Sequence, residues 1–179
     1  MSIPFMCCML NSNSGIRPTT ASYTGTTPTN PTYAYDTSAA SLDSSTYSTY
    51  GSSINTTSTQ TYIFSNSGYF TGTLYVYINS ISTQDNISSD NLNEAISTVT
   101  IVISLDGGTT WLTTTNSFSQ TSTWTAGAGV LNYTLTKYLT NQLISNIRVK
   151  ITCISHRLGS GTSLAIASVT CNIYDIVCF

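Results

Sequence analysis

Four segments of this chain alternate polar and apolar residues with period two, and that pattern excludes most folds at once. In Thr73–Asn79, Leu74, Val76 and Ile78 share one face, while Thr73, Tyr75 and Tyr77 share the other. In Thr98–Leu105 the odd positions are all apolar. In Asn146–Cys153 the odd positions are again apolar, and Arg148 and Lys150 turn to water. In the last run Ala165, Ala167, Val169, Cys171 and Ile173 share a face. Side chains alternate across a β-strand, so each run reads as an antiparallel strand with one buried face. Less regular strands are expected at 59–65, 109–115, 119–125 and 129–136. Turn residues separate them at Asn66-Ser67-Gly68, Asp106-Gly107-Gly108, Ala126-Gly127-Ala128-Gly129 and Gly159-Ser160-Gly161. Only Ser88–Ile96 and Leu135–Ile144 have room for a helical turn. About eight strands with irregular connections predict an all-β protein, an antiparallel β-sandwich of jelly-roll type. A closed barrel is the alternative.

Composition narrows the function classes. Charged residues make up 7% of the 179, against roughly a quarter in an ordinary globular chain. Ser and Thr make up about a third, and there are 12 Tyr. Five basic residues cannot neutralise a run of phosphates, so no nucleic-acid partner is expected. The apolar stretches are too short to span a bilayer as helices, so no membrane partner is expected either. Enzyme signatures are missing: no Gly-x-Ser-x-Gly elbow, no phosphate loop and no His-Glu-x-x-His. The single histidine, His156, follows a strand and reads as a loop or strand-end residue. No catalytic residue and no cofactor are expected.

Residues 1–33 read as an extended arm and 34–179 as the sandwich domain. Pro18, Pro28 and Pro31 lie in a Thr/Ser/Asn/Gly background without periodicity, and such a segment buries too little apolar surface to fold alone. Its tip is apolar, with Ile3, Phe5, Met6, Met9 and Leu10, and no basic flank precedes it as a secretory signal would require. The arm is therefore expected to dock on another surface. The five cysteines, Cys7, Cys8, Cys153, Cys171 and Cys178, are odd in number and irregular in spacing, so they are expected to be free thiols. Alternation points Cys153 and Cys171 inward on separate strands.

Ser104-Leu105-Asp106-Gly107-Gly108-Thr109-Thr110-Trp111 fits Ser-x-Asp-x-Gly-x-Thr-Trp and resembles the Asp-box hairpin of sialidases and other β proteins. Locally, the Asp106 carboxylate can bond backbone amides of the turn, and glycines such as Gly108 tolerate positive φ. Ser104 and Thr110 complete the turn, and Trp111 is expected to lie mostly buried against residues 98–105. A sialidase is excluded by chemistry, because the chain has three Arg and one Glu, Glu94. A second resemblance spans roughly residues 34–178. Ala39–Tyr50 is similar to the opening loop of galactose-binding-like jelly rolls. Asn146–Val149, Gly159–Gly161 and Asn172–Ile176 are similar to their last strand pair. With the Asp-box-like hairpin between them, these segments resemble β-sandwich domains of tailed-phage virion proteins. The resemblance implies a binding or structural module without catalysis.

Sugar binding needs exposed aromatic rings flanked by polar groups. Tyr75 and Tyr77 on one outer strand face qualify, as do Tyr47 and Trp124. The plainer and preferred reading is that outer-face tyrosines reflect β-propensity or touch a neighbouring subunit. Calcium needs several converging oxygens, and only Asp36 with Asp43 or Asp85 with Asp90 offer pairs, so no metal site is assigned. The function expected from these features is a phage virion structural protein: a capsid decoration, cement or fibre-associated subunit, assembled in the host cytoplasm. Its partners would be other virion proteins and copies of itself, with a glycan as a further candidate. The alternative function is a glycan-binding module, receptor-binding or lectin-like.

Overall fold

The computed structural model describes residues 15–25, 31–34, 45–51, 56–86, 94–122, 128–158 and 166–179. They form strands β1 (Thr20–Thr24), β2 (Ser45–Gly51), β3 (Thr56–Ile63), β4 (Tyr69–Asn86), β5 (Glu94–Ser104), β6 (Leu112–Ser122), β7 (Ala128–Leu143), β8 (Arg148–Leu158) and β9 (Ile166–Cys178). Two short 3-10 turns, Pro31–Ala34 and Ile144–Asn146, punctuate them. Antiparallel pairing builds a four-stranded sheet in the order β2-β9-β4-β7 and a five-stranded sheet in the order β1-β3-β8-β5-β6. From β2 to β9 the chain changes sheet at every connection except the β5–β6 hairpin. That is the strand order of a jelly roll, with β1 added at one edge.

The core lies between the sheets and follows the alternation. Leu74, Val76 and Ile78 of β4 face Val99, Ile101 and Ile103 of β5 and Val149, Ile151 and Cys153 of β8 across it, all buried. Tyr62 of β3, Phe64 just after its end, and Leu135 and Leu139 of β7 close its flanks. Cys153, Cys171 and Cys178 are buried thiols in no disulfide. Burial pushes the thiols of Cys153 and Cys178 up to about 12, so they sit in the core as neutral, inert groups.

The structure departs from the sequence reading in five places. Residues 135–143 belong to β7 and not to a helical turn. Leu135 and Leu139 are four apart, a spacing that suits one helix face and also two repeats of a strand. Lys137 between them reaches water from the sheet edge. Residues 94–96 likewise belong to β5. The segments expected at 109–115 and 119–125 merge into the single strand β6, whose described part ends at Ser122. Ser45–Gly51 is a strand, not part of an opening loop; its Ser, Thr and Tyr residues show no apolar alternation.

The fifth difference concerns the arm. Its residues 15–25 already belong to the sandwich. The Ile16 N–H donates to the Cys178 carbonyl at 3.0 Å, and the Cys178 N–H donates back at 2.8 Å. This bridge occupies the edge of β9 where β2, paired only as far as Ile173, has ended. The chain then crosses to the other sheet, and β1 pairs with β3 from Thr20↔Ile63 to Thr24↔Thr59. Four of the five β1 residues are exposed, so no apolar face marked it as a strand. The tip residues Ile3, Phe5, Met6, Met9 and Leu10 lie outside the described residues.

Candidate binding face

Two clusters outside the core arrange polar and aromatic side chains. The first is the β5–β6 turn. The Ser104 hydroxyl donates to Asp106 Oδ1 at 2.7 Å and accepts from the Gly108 N–H at 2.8 Å. The Thr110 N–H donates to both Asp106 carboxylate oxygens at 2.9 and 3.0 Å, and its hydroxyl donates to Oδ2 at 2.6 Å. Gly107 and Gly108 hold φ of 78° and 100°, which L side chains rarely adopt. The hydroxyl and amide of Thr110, then Ser104, hold the Asp106 carboxyl well below the usual carboxylate range. Every Asp106 contact is inside the turn, so the carboxylate is committed to shaping it. The Gly107 N–H and the Leu105 carbonyl tie the turn to Asn146 and Gln142.

Trp111 is half-buried, less than its expected position against residues 98–105 required. The Lys150 ammonium stands 3.9 Å above its ring centroid. Lys150 pairs in register with Val102, which is buried yet outside the core cluster. The indole therefore lies on the outer face of the five-stranded sheet, with a cation on its ring.

The second cluster lies on the outer face of the four-stranded sheet. Tyr75 and Tyr77 of β4 stack with ring centroids 5.6 Å apart and planes 2° from parallel. Phe179 meets Tyr75 edge-on, at 6.1 Å and 62°. The Phe179 backbone is fixed to Thr73, with N–H to carbonyl bonds of 2.7 and 2.9 Å in both directions. Beside the rings runs β9. Its register with β4 shifts around Ile78, so that Tyr77 pairs with Asp175 and Ile78 with Ile173, leaving Tyr174 unpaired. Ile173 and Ile176 both face the core, so this irregularity turns Asp175 and Val177 outward beside the tyrosines.

Asp175 is gripped by Arg17. Nε donates to Oδ1 at 3.1 Å and Nη2 donates to Oδ2 at 2.9 Å, a two-pronged ion pair. Both side chains are about nine-tenths buried, at 9% and 12% exposure. Val177, opposite Tyr75, is covered by residue 15: a Cβ on Gly15 would collide with Val177 Cγ2, so glycine is required for this approach. Burial, then Tyr75 and Asp175, raises the Tyr77 hydroxyl above its ordinary value, so Tyr77 stays neutral at physiological pH. Tyr138, paired with Thr73, adds an exposed ring on the neighbouring strand β7.

Of the other sugar-contact candidates, Trp124 lies outside the described residues. Tyr47 is on β2 and pairs in register with the fully buried Cys171; its side chain lies outside the description. Sequence reasoning missed Arg17, Asp175, Phe179 and Tyr138. Nothing local marks Arg17 and Asp175 as partners. Among the described residues no group of three or more His, Cys, Asp or Glu could hold a metal ion, and no helix is long and apolar enough to cross a membrane.

No protein-family model and no curated protein matches the chain. A solved structure similar to it is that of TmCBM61, a carbohydrate-binding module, in complex with beta-1,4-galactotriose. The two share 13% identity over 92% of this chain and 90% of that one, with a TM-score of 0.32. That likeness is too loose to bear on function, and the assignment of a β-sandwich stands on the strand order and pairing of this chain.

Proposed function

We propose that this chain is a non-catalytic glycan-binding module whose ligand lies on the outer face of the four-stranded sheet. The observation that carries the reading is the Tyr75–Tyr77 pair, held parallel and half-exposed beside the Arg17–Asp175 ion pair. An aromatic face is electron-rich, and the axial C–H groups of a pyranose present the complementary positive face. Carboxylate and phenol groups alongside can take the sugar hydroxyls. The ion pair is internally neutralised, so the face is polar without net charge. A polar, aromatic, nearly uncharged patch suits an uncharged polyol better than a protein core, a phosphate or a lipid.

The virion-subunit reading draws on composition and on the apolar tip at residues 3–10. Part of its arm is now placed inside the sandwich, and no observation among the described residues favours it over glycan binding. A glycan-binding face is also compatible with a place on a virion.

The test is retention on a glycan array of neutral and acidic polysaccharides, comparing the wild-type chain with Tyr75→Ala/Tyr77→Ala. Retention of the wild type on at least one glycan and its loss in the folded double variant support the reading. No retention on any glycan, or equal retention of both proteins, overturns it.

A further inference from the structure

We infer that Cys153 and Cys171 are a cross-linking site, placed to close into a disulfide between the two sheets when the chain folds in the presence of a small-molecule disulfide. The inference is independent of the glycan reading. β8 and β9 are consecutive strands in opposite sheets. The connection between them, residues 159–165, reaches at most about 25 Å, whereas the 11 residues of β8 span about 36 Å. It is too short to return along β8, so β9 runs back over it. Residues equally far from the connection then face each other across the core. Cys153 is five residues before Leu158, the last of β8, and Cys171 is five after Ile166, the first of β9. Both are fully buried in the same core cluster. The two strands bring Cα atoms within 8 Å of one another. A disulfide asks for a Cα separation below about 7 Å, so closure needs only a small approach of the sheets. Burial, then the neighbouring Cys153, raises the Cys171 thiol well above its ordinary value, so the two groups also sense each other electrostatically. Cys178 does not compete, because it lies at the Ile16 bridge, about 20 Å farther along β9 than Cys171.

The step is thiol–disulfide exchange with a low-molecular-weight disulfide, RSSR. One cysteine thiolate attacks a sulfur of RSSR and expels RS⁻, leaving a mixed disulfide. The second thiolate attacks the cysteine sulfur of that bond and expels the other RS⁻. The two cysteines give up two electrons and two protons, and the reagent leaves as two RSH. In the folded chain the reaction is blocked at its first step. The Cys153 thiol is pushed up to about 12 by burial, and the neutral thiol is not the nucleophile. The bond therefore forms while the sheets are still docking and is shielded once the core has closed. In the absence of RSSR the same pair remains as two apolar core residues, so the fold does not depend on the bond.

The experiment refolds the full, reduced chain from urea in oxidised plus reduced glutathione, or in reduced glutathione alone. Remaining thiols are alkylated in denaturant and the cross-links mapped by mass spectrometry. The oxidised mixture should give a Cys153–Cys171 bond with Cys178 alkylated. The bonded form should melt about 6–12 °C above the reduced form, as expected for a closed loop of about 18 residues. The folded, reduced chain in the same oxidised mixture without urea should form the bond at least about 100-fold more slowly, since so little of either thiol is ionised. Alkylation of both Cys153 and Cys171 after oxidised refolding, a bond from either to another cysteine, or a bonded form that melts no higher than the reduced one overturns the inference. Equal rates in the folded and refolding chains overturn the shielding by burial. Cell-free synthesis in the same two mixtures gives the same mapping without a denatured starting point, so the test stands even if the unfolded chain aggregates.

Discussion

The β5–β6 turn and the outer face of the four-stranded sheet are both organised around one aspartate, yet they are built over very different lengths of chain. Asp106 finds its partners within four residues. Asp175 finds Arg17 across 158 residues. The cost of closing a loop grows with its length, so the first cluster needs only a hairpin and the second needs the finished fold. Exposure differs in the same sense. The bonds of Asp106 to Thr110 lie at the surface, whereas Arg17 and Asp175 are about nine-tenths buried, at 9% and 12% exposure. The local cluster is readable and individually weak; the distant one is unreadable and ties three segments, residues 15–17, β4 and β9, into one face.

The sharpest way to break this contrast is Asp175→Ala. It strands a buried guanidinium, and the expected loss is about 3–5 kcal/mol in urea unfolding. The double variant with Arg17→Ala should lose less than the sum of the two single variants, by at least about 1 kcal/mol. A single-variant loss under about 1 kcal/mol would place the pair among ordinary surface ion pairs and remove the contrast.

Trp111→Ala comes next. Full burial of a tryptophan would imply about 3–5 kcal/mol, but half-burial under Lys150 lowers the expectation to about 1–2 kcal/mol. A loss matching that of Asp175→Ala would show the turn to be as important to stability as the distant pair. Gly107→Ala, at φ of 78°, should cost about 1 kcal/mol through backbone strain alone and leave sugar binding unchanged. Altered binding would mean that the two clusters are coupled.

The smallest effect concerns pH. Asp106 binds its proton less tightly in the folded state than its ordinary value of 3.8. Its contribution is therefore fully present above that value and is lost as pH falls below it toward the folded value. The melting temperature of the wild type should exceed that of Asp106→Asn at neutral pH, and the gap should narrow as pH drops below 3.8. A gap that stays constant down to about pH 2 would show that the ionised carboxylate does not hold the turn.

Much of the core was legible because alternation survived intact in β4, β5 and β8. Leu74, Val76 and Ile78, then Val99, Ile101 and Ile103, then Ile147, Val149, Ile151 and Cys153 are all buried as their parity requires. The turn was legible because Ser104, Asp106 and Thr110 satisfy one another within a few residues. Legibility stopped where parity changed or was never present. Around Tyr174 the pairing shifts, and a strand read as continuous would have put Asp175 and Val177 on the wrong face. In β1 and β2 the Ser, Thr and Tyr residues carry no apolar signal, because pairing to β3 and β9 holds them in place.

The amino-acid sequence by itself therefore determined the all-β class, the inward faces of the central strands and the shape of one hairpin, since each follows from backbone geometry and half-burial over a few residues. The tertiary structure alone decided that residue 15 enters the sandwich, that Arg17 meets Asp175, and that the Tyr75–Tyr77 stack lies beside that pair. Those outcomes depend on which strand edges remain unpaired once both sheets have closed, and no short stretch of chain carries that information.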